Sequence, residues 1–158
     1  MKPTDYAVTE LLPHTGTMVL LDRVLEYRDH GLSAELTVRG DGVLFGDSET
    51  VPAWVGLEYM AQTIGAYVGI QAKLAGKPIR LGFLLGTRRY NSNIGQFKVG
   101  TTLTVSVEKI IQDEELGVFE CRIHGDNIAI DANLNVYQPR DIADTTINQE
   151  KTHGPTGS

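Results

Sequence analysis

Alternating hydrophobic and polar positions begin shortly after a Pro-His-Thr-Gly break near the start of the chain. Leu32–Val38 alternates in this way, and the turn residues Asp29-His30-Gly31 separate it from a strand-like stretch at Val24–Tyr27. Alternation next to a glycine-containing turn is typical of a β-hairpin. Further stretches with strand-like composition follow in the second half of the chain; they are Gly82–Arg89, Thr101–Ile111, Gly117–His124 and Ile128–Tyr137. The pattern therefore predicts antiparallel strands on both sides of a central segment.

That central segment has the pattern of a helix. Its apolar residues occupy more than one helical face; they are Val55, Leu57, Met60, Ala61, Ile64, Ala66, Val68, Ile70 and Leu74. Thr50 or Ser48 can cap the start, Pro52 suits a first turn, and Gly76 followed by Pro78 ends the helix. A helix that is apolar nearly all round is surrounded by protein. Its glycines indicate close approach of other elements; they are Gly56, Gly65 and Gly69.

The remaining segments are polar. Residues Gly40–Ala53 are rich in Gly, Asp, Ser and Pro and are predicted to form a long loop, a type that is often functional. Residues 141–158 show no periodicity and are predicted to be a disordered tail. The order of elements predicts one α+β domain over residues 1–140, in which a curved antiparallel sheet wraps one long central helix. Its sheet edges favour dimerisation.

Composition excludes several classes of protein. The chain has 158 residues, of which 41% are hydrophobic and 22% charged, and its net charge is −6. This acidic balance argues against nucleic acid as a partner. Met1–Glu10 lacks the apolar core of a signal peptide and no stretch is apolar enough to span a membrane, so we expect a cytoplasmic protein with no membrane partner. Phosphate-loop, zinc and nucleophilic-serine motifs do not occur, and we expect no cofactor and no metal.

Glu58 is the candidate for chemistry that the pattern singles out, because it lies one turn into the apolar helix with Gln62 on the same face. A carboxylate there is either an acid–base group or a structural group that is hydrogen-bonded to Gln62, and the spacing leaves both open. His14 is a second candidate, although a lone histidine is more often structural. Arg88 and Arg89 form either a local basic patch for an acidic partner or ordinary surface charge.

Four stretches resemble the FabZ-type 3-hydroxyacyl-carrier-protein dehydratases; they are Leu11–His14, Met18–Val24, Pro52 with Glu58–Gln62, and Leu81–Tyr90. The resemblance covers Leu11–Arg140 and fits best the ApeP-like branch, which is associated with aryl polyene pigment clusters. It implies a hotdog fold, in agreement with the sheet and helix predicted above. It also implies removal of water from a 3-hydroxyacyl thioester that an acyl carrier protein delivers, in polyene or fatty-acid-like biosynthesis, with no cofactor.

In this family a histidine and an acidic residue from two protomers share the work. Glu58 matches the acidic residue, but the position of the histidine falls on Leu44, and no residue of Gly40–Trp54 is a histidine. A leucine cannot abstract the α-proton of a thioester. Three possibilities follow: a related dehydratase chain supplies the histidine, His14 replaces it, or the chain is an inactive stabilising or acyl-binding subunit.

We favour the first possibility, a dehydratase subunit that pairs with a hotdog partner chain, with a self-dimer as the alternative arrangement. A hotdog acyl thioesterase is a further alternative, since such enzymes also use a carboxylate on the helix. The resemblance implies substrate contacts at Phe45, Ala53, Trp54, Val55 and Gln62, and carrier-protein contacts at Arg88 and Arg89. Backbone amides near Ala53–Val55, at the start of the helix, would polarise the thioester carbonyl.

Overall fold

The computed structural model describes residues 2–13, 16–40, 49–79 and 82–138. Its main feature is a six-stranded antiparallel sheet with strand order β1-β2-β6-β7-β8-β4, beside a small sheet of β3 and β5. The strands are β1 (Arg23–Arg28), β2 (Gly31–Thr37), β3 (Thr50–Pro52), β4 (Phe83–Ser92), β5 (Gln96–Lys98), β6 (Thr102–Asp113), β7 (Leu116–Gly125) and β8 (Ile128–Tyr137). The predicted hairpin and the four later strands predicted from strand-like composition are confirmed, with β4 continuing three residues beyond its predicted end.

Helix α2 (Gly56–Leu74) lies against β2, β6 and β7. The side of α2 that faces the sheet is completely buried, with Met60, Tyr67 and Ile70 each 0% exposed. Every second residue of the three strands points at it; the fully or nearly fully buried set is Leu32, Ala34, Leu36, Leu103, Val105, Val107, Cys121 and Ile123. The α+β class and the hotdog arrangement of one antiparallel sheet with one long central helix are therefore confirmed.

The prediction that protein surrounds α2 fails along one strip of the helix. Leu57, Ala61, Gly65 and Val68 are only partly buried. Their spacing of three and four residues places them on one face, away from the sheet. Pattern alone missed the strip because an apolar face that covers a protein core and one that lines a groove have the same periodicity.

The segment before α2 differs from its prediction as a loop. Thr50–Pro52 is strand β3, and its pairing with β5 places Val51 opposite Phe97. Strands of three residues are too short to show alternation, so the sequence pattern predicted neither. Ser48 and the rest of residues 41–48 lie outside the described residues, as does the predicted tail at 141–158.

The start of α2 also departs from its prediction. A 3-10 turn, Ala53–Val55, leads directly into the helix, and Val55 at the cap position makes no side-chain cap bond. Thr50 is therefore not the cap, because it lies in β3 and the intervening turn separates it from the first helical residue. The orphan amides of a helix start can be satisfied by such a 3-10 turn instead of a polar cap.

Two glycines of α2 allow close approach of other elements, as predicted. A β-carbon on Gly56 would collide with the hydroxyl of Tyr90 on β4. A β-carbon on Gly69 would lie 2.6 Å from the carbonyl oxygen of Leu11, which ends the short helix α1 (Val8–Leu11). These contacts hold α1 and β4 on the two sides of the open strip, so the glycines shape the groove between them.

Candidate active site

Glu58 lies in the first turn of α2 and lines a cavity of about 230 Å³. The cavity runs along the open strip of α2, with α1 on one side and β4 and β8 on the other. Its walls are mainly apolar; they include Leu11, Leu12, Pro13, Ala61, Ile64, Gly65, Val68, Ile79, Leu84 and Val136. The polar side chains in the wall are those of Glu58, Gln62 and Gln138. The arrangement suits a carboxylate that acts at one end of an apolar chain.

Gln62 is 1% exposed and holds Glu58 in position. Its Nε2 donates to the carbonyl oxygen of Met18 at 2.7 Å and to Oε1 of Glu58 at 3.2 Å. Its Oε1 accepts the backbone N–H of Leu20 at 2.9 Å. The orientation of the amide is fixed by these neighbours, because the carbonyl can only accept and the N–H can only donate. The structure therefore contains the hydrogen bond of the structural alternative for Glu58, and an acid–base role for this carboxylate, which also lines a cavity, stays a prediction.

Gln62 is hydrogen-bonded to the segment that follows the Leu-Leu-Pro-His motif. Leu12 and Pro13 line the cavity, and the chain returns to Gln62 at Met18 and Leu20. His14 and Thr15, between these points, lie outside the described residues. The hydrogen bonds of Gln62 therefore fasten Met18 and Leu20, which follow this motif in the chain, to the helix that carries Glu58.

The predicted substrate contacts at the start of the helix have different environments. Trp54 is 60% exposed, whereas Ala53 and Val55 are buried, and none of these side chains lines the cavity with Glu58. The backbone N–H of Ala53 donates to the carbonyl oxygen of Gly95 at 3.0 Å, so this amide is already used. Phe45 lies outside the described residues. A role for these residues in binding substrate stays a prediction, and among the predicted contacts that the structure describes, Gln62 is the one that lines the cavity.

Arg88 and Arg89 both belong to β4 but differ in their contacts. The Nε of Arg89 lies 3.3 Å from Oδ1 of Asp131 on the neighbouring β8. Arg88 is exposed and forms no ion pair within the part of the chain that the structure describes. Neither lines the cavity. Their role as a carrier-protein contact stays a prediction.

Burial governs the titration of other groups near the core. Desolvation raises the pKa of the Cys121 thiol to about 12, which makes it a poor nucleophile at neutral pH. It also raises the pKa of Tyr59 and Tyr90 to about 12. Tyr90 donates its hydroxyl hydrogen to the carbonyl oxygen of Ala53 and so joins β4 to the turn before α2.

Among the described residues, no three His, Cys, Asp or Glu side chains come together as a metal site. Of the helices in those ranges, none combines the length and the hydropathy needed to cross a bilayer.

Comparison with known proteins decides the family. The model of the ApeP-like family, described as ApeP dehydratase, matches residues 6–147. The chain belongs to the ApeP-like family. A solved structure, the dehydratase heterocomplex ApeI:P from Xenorhabdus doucetiae, is 33% identical with a TM-score of 0.78, and the match covers 90% of this chain and 97% of that chain. A search of curated proteins gave no match.

Other solved structures share the fold at much lower identity. A hypothetical thioesterase with coenzyme A from Streptococcus pneumoniae TIGR4 has a TM-score of 0.54 at 14% identity, covering 73% of this chain and 84% of that chain. The smu.793 protein from Streptococcus mutans UA159, bound to acetyl CoA, has a TM-score of 0.58 at 10% identity, covering 81% and 95% respectively. These likenesses show the fold alone, whereas the ApeP-like match confirms the predicted family.

Sequence reasoning found Glu58 and Gln62 but missed the opposite wall of the cavity. Val136 and Gln138 reach it from the end of β8, and Leu84 reaches it from β4. Contacts between such distant segments follow from strand order, which local pattern does not predict. Gly56 is the signal in the sequence for this wall, because a glycine inside a helix indicates the close approach of another element. In the structure that element is β4, through Tyr90.

Proposed function

We propose that this chain is a dehydratase subunit that removes water from 3-hydroxyacyl thioesters held on an acyl carrier protein, and that it works with a related hotdog chain. One observation carries the proposal: Glu58, fixed by Gln62, is a carboxylate at the side of an otherwise mainly apolar groove. The groove accommodates the acyl chain, and the carboxylate acts near its thioester end. Membership of the ApeP-like dehydratase family supports this reading.

The reaction needs an acid and a base. A base takes the proton from the α-carbon, the C–O bond at the β-carbon breaks, and the hydroxyl leaves as water after receiving a proton. We assign that second proton to Glu58. The products are the enoyl thioester and water, and the proton on the base returns to Glu58 through solvent before the next turnover.

The base is the part that the described cavity lacks. Among its described lining residues, Glu58 is the one with an acidic or basic side chain, since the others are apolar, glycine or glutamine. Leu44, where the family's histidine would fall, cannot replace it. A partner chain is therefore the source that we propose for the base, and the solved relative described as a dehydratase heterocomplex supports an assembly of this kind.

His14 is the alternative base within this chain. It follows Pro13, which lines the cavity. Under this alternative the chain would dehydrate its substrate without a partner, because it would contain both the acid, Glu58, and the base, His14. Delivery by a carrier protein, contact through Arg88 and Arg89, and a cytoplasmic location remain parts of the proposal that rest on the sequence.

The test is an assay of this chain and its candidate partner, each alone and together, on a 3-hydroxyacyl thioester of a carrier protein. Mass spectrometry of the carrier separates loss of water from release of free acid. We expect loss of water only in the mixture, and at least about a hundredfold less of it with Glu58→Gln. Glu10→Gln is the matched control, because Glu10 is exposed on α1 and does not line the cavity.

Other results would point to the alternatives. Release of free acid would identify a thioesterase, a reading that fold likeness to a thioesterase at 14% identity keeps as the second candidate. Full activity of the Glu58→Gln complex would identify an inactive, stabilising or acyl-binding subunit. Full activity of this chain alone would point to His14.

A further inference from the structure

The two edges of the large sheet differ in how they are covered. The outer edge at β1 contacts the 3-10 helix Pro3–Asp5. The other edge, β4, has ten residues, and its free side has no strand partner within the described part of the chain. Long uncovered edges are templates for pairing with another chain. Leu84 of β4 lines the groove beside Glu58, so a chain that joins this edge lies next to the candidate active site.

Exposed apolar side chains mark the β4 edge as a contact surface. Leu84 is 44% exposed and Leu85 60% exposed. Trp54, also 60% exposed, belongs to the turn that the Tyr90 hydroxyl fastens to β4. Exposed apolar groups of this size along a sheet edge are typical of a surface that another protein covers.

A charge interrupts this apolar edge near its middle. The pairing of β4 with β8 shifts register between Leu84 and Gly86 and again between Thr87 and Arg89. Leu85 and Arg88 are the extra residues of these two bulges. Arg88 is exposed and forms no ion pair among the described residues, whereas Arg89 beside it is held by Asp131. Bulges and charges on an edge strand are the devices that proteins use against unwanted strand pairing.

The position of Arg88 decides which partner the edge accepts. The midpoint of Phe83–Ser92 falls between Thr87 and Arg88. In a two-fold dimer of identical chains the same strand pairs with itself, so pairing centred near this midpoint brings Arg88 of each copy opposite or diagonally next to its own counterpart. Like charges in that position oppose association, and a partner with an acidic side chain there would attract Arg88 instead.

We propose that β4 selects an unlike chain: it binds a related hotdog protein with an acidic side chain opposite Arg88, and disfavours a second copy of itself. This inference rests on the proposed function, in which a partner chain supplies the missing base. It adds a reason why the complete site is formed by two different chains. A self-dimer would contain two copies of the described cavity, each with Glu58 and without a base from the partner.

The test is a charge swap followed by sedimentation or native mass spectrometry. We compare self-association of the native chain, of Arg88→Glu, and of an equimolar mixture carrying different tags. Both single species carry like charges at the contact, whereas the mixture pairs opposite charges. We expect the mixed dimer to form at least about tenfold more tightly than either self-dimer, and Arg88→Glu to bind the hotdog partner at least about tenfold more weakly.

Two further variants keep the result interpretable. Arg88→Ala removes the repulsion without adding charge, and it should self-associate more strongly than the native chain even if Arg88→Glu folds poorly. Lys98→Glu makes the same charge change on β5, in the small sheet and not on β4, and should leave every affinity unchanged. A tight native self-dimer that is insensitive to both Arg88 variants would overturn the proposal. So would a loss of carrier-protein binding alone, because Arg88 would then have the carrier contact that the sequence predicts for it and not the selection of a partner chain inferred here. No readout here depends on dehydration, so the proposed reaction can fail without affecting this test.

Discussion

Replacing Gln62 by methionine tests whether this buried amide positions Glu58. Methionine has a similar length and remains apolar, so the core stays filled while three hydrogen bonds are lost. These bonds join Gln62 to the carbonyl oxygen of Met18, the N–H of Leu20 and the carboxylate of Glu58. The change therefore loosens the link between the turn of α2 that carries Glu58 and the segment that follows the Leu-Leu-Pro-His motif.

The expected loss of stability depends on how deeply the former partners of Gln62 are buried. Leu20 is partly buried and Met18 is 41% exposed, so water can replace part of what Gln62 provided. We estimate a loss of about 1–3 kcal/mol in the free energy of unfolding. For a domain of this size that corresponds to a fall of roughly 3–12 °C in Tm. Since Glu58 loses its fixed donor, we also expect kcat to fall about tenfold or more at a temperature where the variant is fully folded.

Thermal unfolding and steady-state kinetics with the partner chain provide the measurement. Thr63→Val is the matched control, because its buried hydroxyl donates only to the carbonyl oxygen of Tyr59 and does not contact Glu58. It should lose about 1 kcal/mol or less and keep its kcat. If Gln62→Met kept both its Tm and its kcat, the positioning role would be refuted. If both variants lost kcat equally, the effect would be structural rather than specific to Glu58.

Two predictions concern the core. Gly56→Ala should lower the free energy of unfolding by about 1–3 kcal/mol in chemical denaturation, because the new methyl group collides with the Tyr90 hydroxyl. Gly95→Ala is the control and should change this free energy far less, because a β-carbon there meets nothing within 4 Å. Equal effects of the two substitutions would contradict the close approach of β4 to α2. The free energy of unfolding should also fall as the pH rises above about 9. The Cys121 thiol, with an ordinary pKa of 9.0, ionises in the unfolded chain above that pH, whereas burial raises its pKa in the folded protein to about 12. The unfolded chain then binds fewer protons than the folded one, so the slope of stability against pH is negative, and a flat profile between pH 9 and 11 would refute the burial argument.

Local pattern predicted the fold where one pattern corresponds to one structure. Alternation predicted β2 and strand-like composition predicted β6–β8, and each of these strands has one face in the core, as in β6, where Leu103, Val105 and Val107 are buried. The sequence pattern did not predict β3 and β5, because strands of three residues are too short to show alternation. Nor did it distinguish the buried faces of α2 from the open strip at Ala61 and Val68, since both are apolar.

The candidate site divides in the same way. Glu58 and Gln62 are one helical turn apart, so their contact follows from local geometry and was predicted. The wall at Val136 depends on β8 and β4 being neighbours in the sheet, which is a property of the whole topology. Even so, a polar residue in an apolar helix and the family motif around it were enough to locate the end of the groove where we place the chemistry.

A titration of this chain into a fixed amount of its candidate partner tests most directly whether Glu58 is one half of an active site that two chains share. The rate of water loss from a 3-hydroxyacyl carrier thioester is measured at each ratio, first with the native chain and then with Glu58→Gln. If one Glu58 completes one site, the rate rises to a plateau at equimolar chains, and the Glu58→Gln complex assembles at the same ratio with almost no activity. Undiminished turnover by the Glu58→Gln complex, or full activity of this chain without its partner, would contradict the account.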